Sequence, residues 1–149
     1  MEIEGFENYL IYPDGRVFNK KSNRFLKGSN DKDGYKVVSL TKDGNRKFMK
    51  IHRLVAIHYI PNPENKREAD HLNRDRSDNR IENLRWVNHW ENQQNTGMSK
   101  NNTSGYKYIL YRKRDERWIF QKTINEKKTY KSFKTLEEAI KYRDEKTEI

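Results

Sequence analysis

The chain has 149 residues, 32% hydrophobic, 36% charged and 12% aromatic, with a formal net charge of +10 and no cysteine. Such a composition suits one or two small domains with thin, divided cores; it excludes disulfide scaffolds, thiolate zinc sites and any apolar run near the roughly 20 residues of a membrane span. A sequence pI of about 9.7 favours a polyanionic partner, although charge alone does not separate nucleic acid from an anionic membrane surface.

The start, MEIEGFE, is acidic and does not read as a secretory signal. Residues 1–50 read as β hairpins. Tyr9–Tyr12 is followed by the turn signal Pro13-Asp14-Gly15 and then by Arg16–Phe18. A second pair runs from Tyr35 to Leu40 and from Lys47 to Ile51, around the turn Lys42–Asn45. The reading for this region is a small supporting sheet, with Lys20, Lys21, Arg24 and Lys27 as phosphate contacts if it meets DNA. Residues 52–60, HRLVAIHYI, read as a short, mostly buried helix ended by Pro61. Its histidines, His52 and His58, are expected to be structural, because six residues of separation puts them on different helix faces. Pro61-Asn62-Pro63 is a stiff link out of this helix into a long polar loop.

Residues 70–95, DHLNRDRSDNRIENLRWVNHWENQQN, organise the chain. Asp70 and His71 are adjacent; Asn83 follows His71 by twelve positions, and Asn92 follows Asn83 by nine. Leu84–Val87 alternates as a short strand, and His89–Asn95 lacks Gly and Pro and opens a helix. Phosphodiester hydrolysis needs a base to deprotonate water and a cation to meet charge on the phosphate. His71 is the candidate base, since histidine titrates near pH ~6.5. Asp70 and Asn92 are oxygen donors suited to one hard divalent cation, Mg²⁺ or Mn²⁺. Asn83 is expected to tie the loop to the strand and to hold the His71 ring. Asn79 competes with Asn83 for that role, and Asn95 with Asn92. Arg74, Arg76 and Arg80 flank the site as candidate phosphate clamps.

On these residues the stretch resembles the HNH nucleases, whose ββα-metal motif carries a single cation, and among them the homing endonucleases of phage introns. The resemblance runs from about Ile51 to Asn95, including IHRLVAIHYIPNPENK. It implies His71 as general base, Asp70 as metal ligand, Asn83 as the central structural asparagine and Asn92 as the last ligand, a histidine in many relatives. The segment YPDGRVFNKKSNRFLKG resembles the short module that often precedes HNH domains in phage endonucleases.

Residues 96–104, TGMSKNNTS, read as a polar linker, giving domains 1–98 and 99–149. Strands are expected at Tyr106–Tyr111, Arg117–Asn125 and Lys128–Phe133, then a helix opened by the capping box Thr135-Leu136-Glu137-Glu138. This segment resembles the ethylene-response-factor (Apetala-type) DNA-binding domain at Ser104-Gly105-Tyr106, Trp118, Phe133 and Glu138-Ala139. It departs at Glu126, where a turn glycine is usual, at Lys122, and in a third strand one residue short. The family lays its sheet in the major groove. Alternation then puts Trp118 and Phe120 toward the helix and Ile119, Gln121 and Thr123 away from it. The candidate DNA contacts are Gln121 and Thr123, with Lys107, Arg112, Arg114, Lys128 and Tyr130.

The expected fold class is α+β: N-terminal hairpins and a ββα-metal nuclease core, then a three-stranded antiparallel sheet on one helix. The expected activity is site-directed, divalent-metal-dependent DNA hydrolysis, with one site per chain and therefore one strand nicked at a time. Double-stranded DNA is the expected partner, with no membrane and no small-molecule cofactor. The chain is read as a monomer or homodimer, intracellular, of phage or mobile-element origin. A catalytically silent DNA-binding regulator is the alternative, and a structural RNA-binding protein is a third class.

Overall fold

A computed structural model describes residues 1–124 and 126–147. It is a mixed α+β chain that divides into two compact units, Met1–Asn95 and Thr96–Ile149. Among the described residues no helix is long and apolar enough to cross a membrane.

The first unit opens with a four-stranded antiparallel sheet: β1 (Glu2–Ile3), β2 (Phe6–Ile11), β3 (Val17–Asn19) and β4 (Arg24–Phe25), in sequence order. A second sheet is made of β5 (Ser29–Asn30), β6 (Lys36–Lys42) and β7 (Asn45–Lys50). Both expected hairpins are present; the two-residue strands β1, β4 and β5 are too short to give an alternation in the sequence. Helix α1 (Ile51–Tyr59) buries Ile51, His52, Leu54, Val55 and Ala56. Ile57, within the stretch expected to be mostly buried, is 48% exposed. The core joins the two sheets to the helix: Ile3, Tyr9, Ile11, Val17, Val38 and Leu40 pack in one cluster with Ile51, Leu54, Val55 and Leu84. Within this unit the apolar residues share one centre, and the hairpins cannot melt without exposing α1.

Strand β8 (Glu68–His71) pairs antiparallel with β9 (Leu84–Val87), Asp70 opposite Arg85 and His71 opposite Leu84. A single 3-10 turn over Ile81–Asn83 leads into β9, and α2 (His89–Asn95) comes after it. Together these give the expected strand, loop, strand, helix order. The hairpin turn of the first sheet docks on this loop. The Ile81 amide donates to the Pro13 carbonyl at 2.8 Å, and Gly15 is buried against Asn79.

The second unit contains β10 (Ile109–Arg112), β11 (Arg117–Ile124), β12 (Lys127–Phe133) and α3 (Leu136–Thr147), an antiparallel sheet in sequence order with one helix. Its first strand is shorter than the expected Tyr106–Tyr111. Tyr108 has φ +70, and the residues before it are tied by Asn102 and Ser104, whose side chains bond the Tyr106 and Ile109 carbonyls. The last part of the expected linker therefore closes this unit. Asn125, the expected end of the second strand, and residues 148–149 of the expected domain lie outside the described residues. The capping box is present: the Glu138 amide donates to Thr135 Oγ1 at 3.3 Å, and the Thr135 amide to Glu138 Oε2 at 3.4 Å. Phe120, Ile109 and Ala139 form the core, flanked by Trp118, Phe133, Leu136, Ile140 and Tyr142.

Gly15 sits at φ +87, and a Cβ there would lie 2.8 Å from the Asn79 Cβ. Gly15→Ala is expected to cost about 1–3 kcal/mol in urea unfolding. Gly34→Ala, at φ +84 with nothing within 4 Å, is expected to cost less, through backbone strain alone.

Candidate active site

The site is built at the end of β8. Period-two alternation sends consecutive side chains to opposite sides of the strand. Ala69 and His71 are buried, while Glu68 and Asp70 are half-buried and face α2. Asp70 and His71 are therefore neighbours in sequence but belong to two different surroundings.

On one side, His71 is 3% exposed and its Nε2 lies 2.9 Å from Asn79 Oδ1. A carboxamide oxygen only accepts, so Nε2 carries the proton and Nδ1 is the basic nitrogen. Asn79, not Asn83, holds the ring; the expected role of Asn83 is corrected in that respect. Asn83 instead braces the loop. Its Oδ1 accepts from the Asn73 amide at 3.0 Å, and its Nδ2 donates to Asn73 Oδ1 at 2.9 Å and to the Asp78 carbonyl at 2.8 Å. The Leu72 amide adds a bond to the Asn83 carbonyl at 2.8 Å. Both asparagines are buried. They divide the two tasks that the sequence reading gave to one.

On the other side, Asp70 Oδ2 accepts from Arg85 Nη2 at 3.0 Å and from Asn95 Nδ2 at 2.9 Å; Oδ1 takes part in neither bond. Asn95 Nδ2 also donates to the His71 carbonyl at 2.9 Å and so staples α2 to the end of β8. Asn92 bonds through Nδ2 to Glu68 Oε2 at 2.5 Å, which leaves its Oδ1 outside that bond. So Asn95, the competitor, is the residue in contact with Asp70, while Asn92 lies one turn earlier, beside the next carboxylate along the strand. Glu68 was missed, although its position two residues before Asp70 puts it on the same face. The hydrogen bond from Asn92, with His89 Nδ1 at 3.2 Å, holds the Glu68 carboxyl below its ordinary value.

The arginines that flank the site are exposed but engaged. Arg74 Nε reaches Asn95 Oδ1 at 3.5 Å, Arg80 grips Asp78 with two bonds at 2.8 Å, and Arg76 lies over the Tyr35 ring at 4.7 Å and donates to the Asp33 carbonyl. The Arg80 guanidinium pulls the Asp78 carboxyl down to about 2. In the second unit Arg112, Gln121, Thr123, Lys128 and Tyr130 share one sheet face, as the registers Gln121↔Tyr130 and Thr123↔Lys128 require. Arg112 is not free there: it donates to the Tyr130 hydroxyl at 2.6 Å and pairs with Asp115. Arg114 also pairs with Asp115, at 2.9 Å, and Lys107 lies 5.0 Å over the Tyr108 ring. Ile119, on that same face, is 1% exposed, so the face is partly closed.

With this geometry in view, residues 49–94 match the family model described as HNH endonuclease, and residues 1–41 match the NUMOD4 motif. The chain is 44% identical, over 86 residues, to a stretch within the uncharacterized HNH endonuclease L245 of Acanthamoeba polyphaga mimivirus, covering 58% of this chain and 26% of that protein. It is 39% identical over 87 residues to the DNA endonuclease I-HmuI of Bacillus phage SP01, covering 58% of this chain and 50% of the relative. A solved structure of DNA binding and cleavage by the HNH homing endonuclease I-HmuI superposes with a TM-score of 0.61 at 38% identity, over 64% of this chain and 55% of the other. The chain thus spans half or less of the length of these two curated relatives.

His52, behind His71, is 4% exposed. Burial pushes its pKa from 6.5 down to about 3, and nearby His71, Lys50 and Arg53 add to the shift. The unfolded chain takes up this proton below pH 6.5, and the folded chain refuses it until about 3. Stability is therefore lost progressively across that window as pH falls, by an amount on the order of a few kcal/mol. His52→Phe removes this component, and urea unfolding at pH 7 and pH 4 is expected to show a smaller difference than in the native chain.

Proposed function

We propose that the protein is a site-directed DNA endonuclease of the homing type that hydrolyses one strand with the help of a divalent cation. The observation that carries the reading is the His71–Asn79 bond, which leaves a neutral Nδ1 one residue from Asp70, within a segment of the HNH family. Nδ1 accepts a proton from a water as its oxygen attacks phosphorus. The bond from phosphorus to the 3′ oxygen breaks and that oxygen takes a proton from solvent, giving a 5′ phosphate and a 3′ hydroxyl. Consecutive Cα atoms lie ~3.8 Å apart, so a phosphate laid across the end of β8 meets both sides of the strand.

The donor set fits a hard cation. Asp70 Oδ1 and Asn92 Oδ1 are oxygens outside the bonds that hold their side chains, with Asn95 beside them. A bound Mg²⁺ or Mn²⁺ supplies the Lewis acid for charge on the phosphate and the departing oxygen. The relatives named as DNA endonucleases support duplex DNA as the substrate. The second unit, with its basic face and its resemblance to ethylene-response-factor domains, supplies affinity and choice of target. Gln121, Thr123, Lys128 and Tyr130 meet the duplex, and Arg114 and Lys107 meet phosphate. A single site per chain nicks; two chains are needed for a double-strand break.

A second reading, a silent DNA-binding regulator, draws on one observation: the Arg85 guanidinium already occupies Asp70 Oδ2. Catalysis separates the two. His71→Ala is expected to reduce nicking of supercoiled DNA on the order of 10³-fold while leaving DNA affinity unchanged. Chelation of divalent ions is expected to stop cleavage by the native chain, and added Mg²⁺ or Mn²⁺ to restore it; activity that survives chelation or the His71 substitution rejects the mechanism. Removal of residues 96–149 is expected to weaken duplex binding, flatten its dependence on salt and relax site choice, with the rate of the chemical step preserved. Footprinting and salt titration of the two chains measure this.

A further inference from the structure

We propose that Tyr35 and His52 are positioning residues that wall in the His71 ring, so that the N-terminal sheets build part of the active site instead of serving only as a DNA-contact module. The inference rests on the reading of His71 as proton acceptor.

Three rings meet at one point. The centroids of Tyr35 and His52 are 5.0 Å apart with planes inclined at 33°, those of His52 and His71 are 5.0 Å apart at 54°, and those of Tyr35 and His71 are 6.1 Å apart at 32°. All three separations fall in the range of favourable ring packing. The need for a wall arises from histidine itself. Its χ2 torsion is broad, so one hydrogen bond at Nε2 fixes a pivot but not a ring plane. A base whose ring swings about that pivot moves Nδ1 away from the water it must deprotonate. Packing on the ring face removes that freedom.

His52 does this by shape. Its Nδ1 is buried with no hydrogen-bond partner, so this ring is held by contact and not by a polar network. Two cations in turn pack on the Tyr35 ring. Lys50 Nζ lies 4.1 Å over its ring and Arg76 Cζ 4.7 Å. Lys50 also pairs with Asp31 at 3.3 Å, and Asp31 Oδ1 accepts from the Tyr35 amide at 2.9 Å. Arg76 comes from the loop after His71 and donates to the Asp33 carbonyl. The Asp31–Tyr35 turn is thus bolted to the nuclease loop.

The bond at Nε2 has the same origin. Asn79, which holds His71 Nε2, is backed by Gly15, and the Pro13 carbonyl anchors Ile81. Tyr35, Gly15 and Pro13 all lie in the segment that matches the NUMOD4 motif, whereas His52, His71 and Asn79 lie in the HNH segment. Both supports of the base therefore lean on residues outside the HNH segment.

The test uses the full chain with Tyr35→Ala, Tyr35→Phe, His52→Ala and His52→Phe, each checked for folding by circular dichroism. Two readouts are taken: steady-state nicking of supercoiled DNA with Mg²⁺, and ¹⁵N NMR of the His71 ring without metal. The alanine variants are expected to lower kcat by about 10- to 100-fold with little change in KM, since a misplaced group costs rate more than binding. Their His71 signals are expected to move from one tautomer, protonated at Nε2, toward a mixture. The phenylalanine variants keep a flat ring and are expected to restore both readouts. The proposal is overturned if the His71 signals of both alanine variants match those of the native chain, or if the phenylalanine variants fall with the alanine ones. If instead His71→Ala nicks as fast as the native chain, the base assignment fails, and the NMR readout alone decides whether the rings position His71.

Discussion

The carboxamide of Asn83 holds the site together. It closes the loop after β8 by satisfying two backbone groups and one side chain of that loop, at Asn73 and Asp78. Buried backbone donors and acceptors that lose such a partner cost about 1–3 kcal/mol each, so the loop has one conformation of low energy. That conformation presents Asn79 to His71 and Asp78 to Arg80. The loop can be rich in Arg, Asp and Asn, residues that stay in water when left free, because its inner edge is bonded to the buried Asn83 in the turn that leads into β9.

This division of labour explains what the sequence revealed and where it stopped. The adjacent Asp70 and His71, the twelve-residue step to Asn83 and the IENLRW run were enough to place β8, β9 and α2, since each has its own period and its own breaker. Which asparagine serves which partner was not legible. Asn79 and Asn83 sit four apart in a loop, where no regular period fixes direction, and only the 3-10 turn at 81–83 turns one toward the ring and the other toward the loop. Asn92 and Asn95 pose the same difficulty one turn apart on a short helix, where both meet β8, at Glu68 and Asp70. The particular contact of Tyr35 with His71 joins residues 36 positions apart and leaves no local signal.

The second unit shows the strength and the limit of alternation. The period of two separates Trp118 and Phe120, on the helix side, from Gln121, Thr123 and their cross-strand neighbours Tyr130 and Lys128. Alternation says which face a side chain takes; it says nothing of what that side chain does there. Arg112 shares the outer face, yet its guanidinium is spent on Tyr130 and Asp115, and Ile119 is buried on the face expected to be open. A base-reading arginine needs its planar fork unoccupied or cheaply released. The exposed candidates of that face, Gln121 and Lys128, are less committed than Arg112 is.

The same reasoning bears on the net charge of +10. A polyanion responds to cations that can move toward it, and many arginines here are already committed: Arg80 to Asp78, Arg85 to Asp70, Arg112 and Arg114 to Asp115. Arg80 and Arg114 are the most exposed of these arginines, so their pairs contribute little to stability and are exchanged for phosphate at small cost. The pairs around the site therefore act as a reserve. Under the proposed mechanism Arg85 would exchange Asp70 Oδ2 for a phosphate, and the carboxylate it leaves is the one proposed to hold the cation. Substrate and metal would then assist each other's binding through a single guanidinium, with charge balanced at every stage.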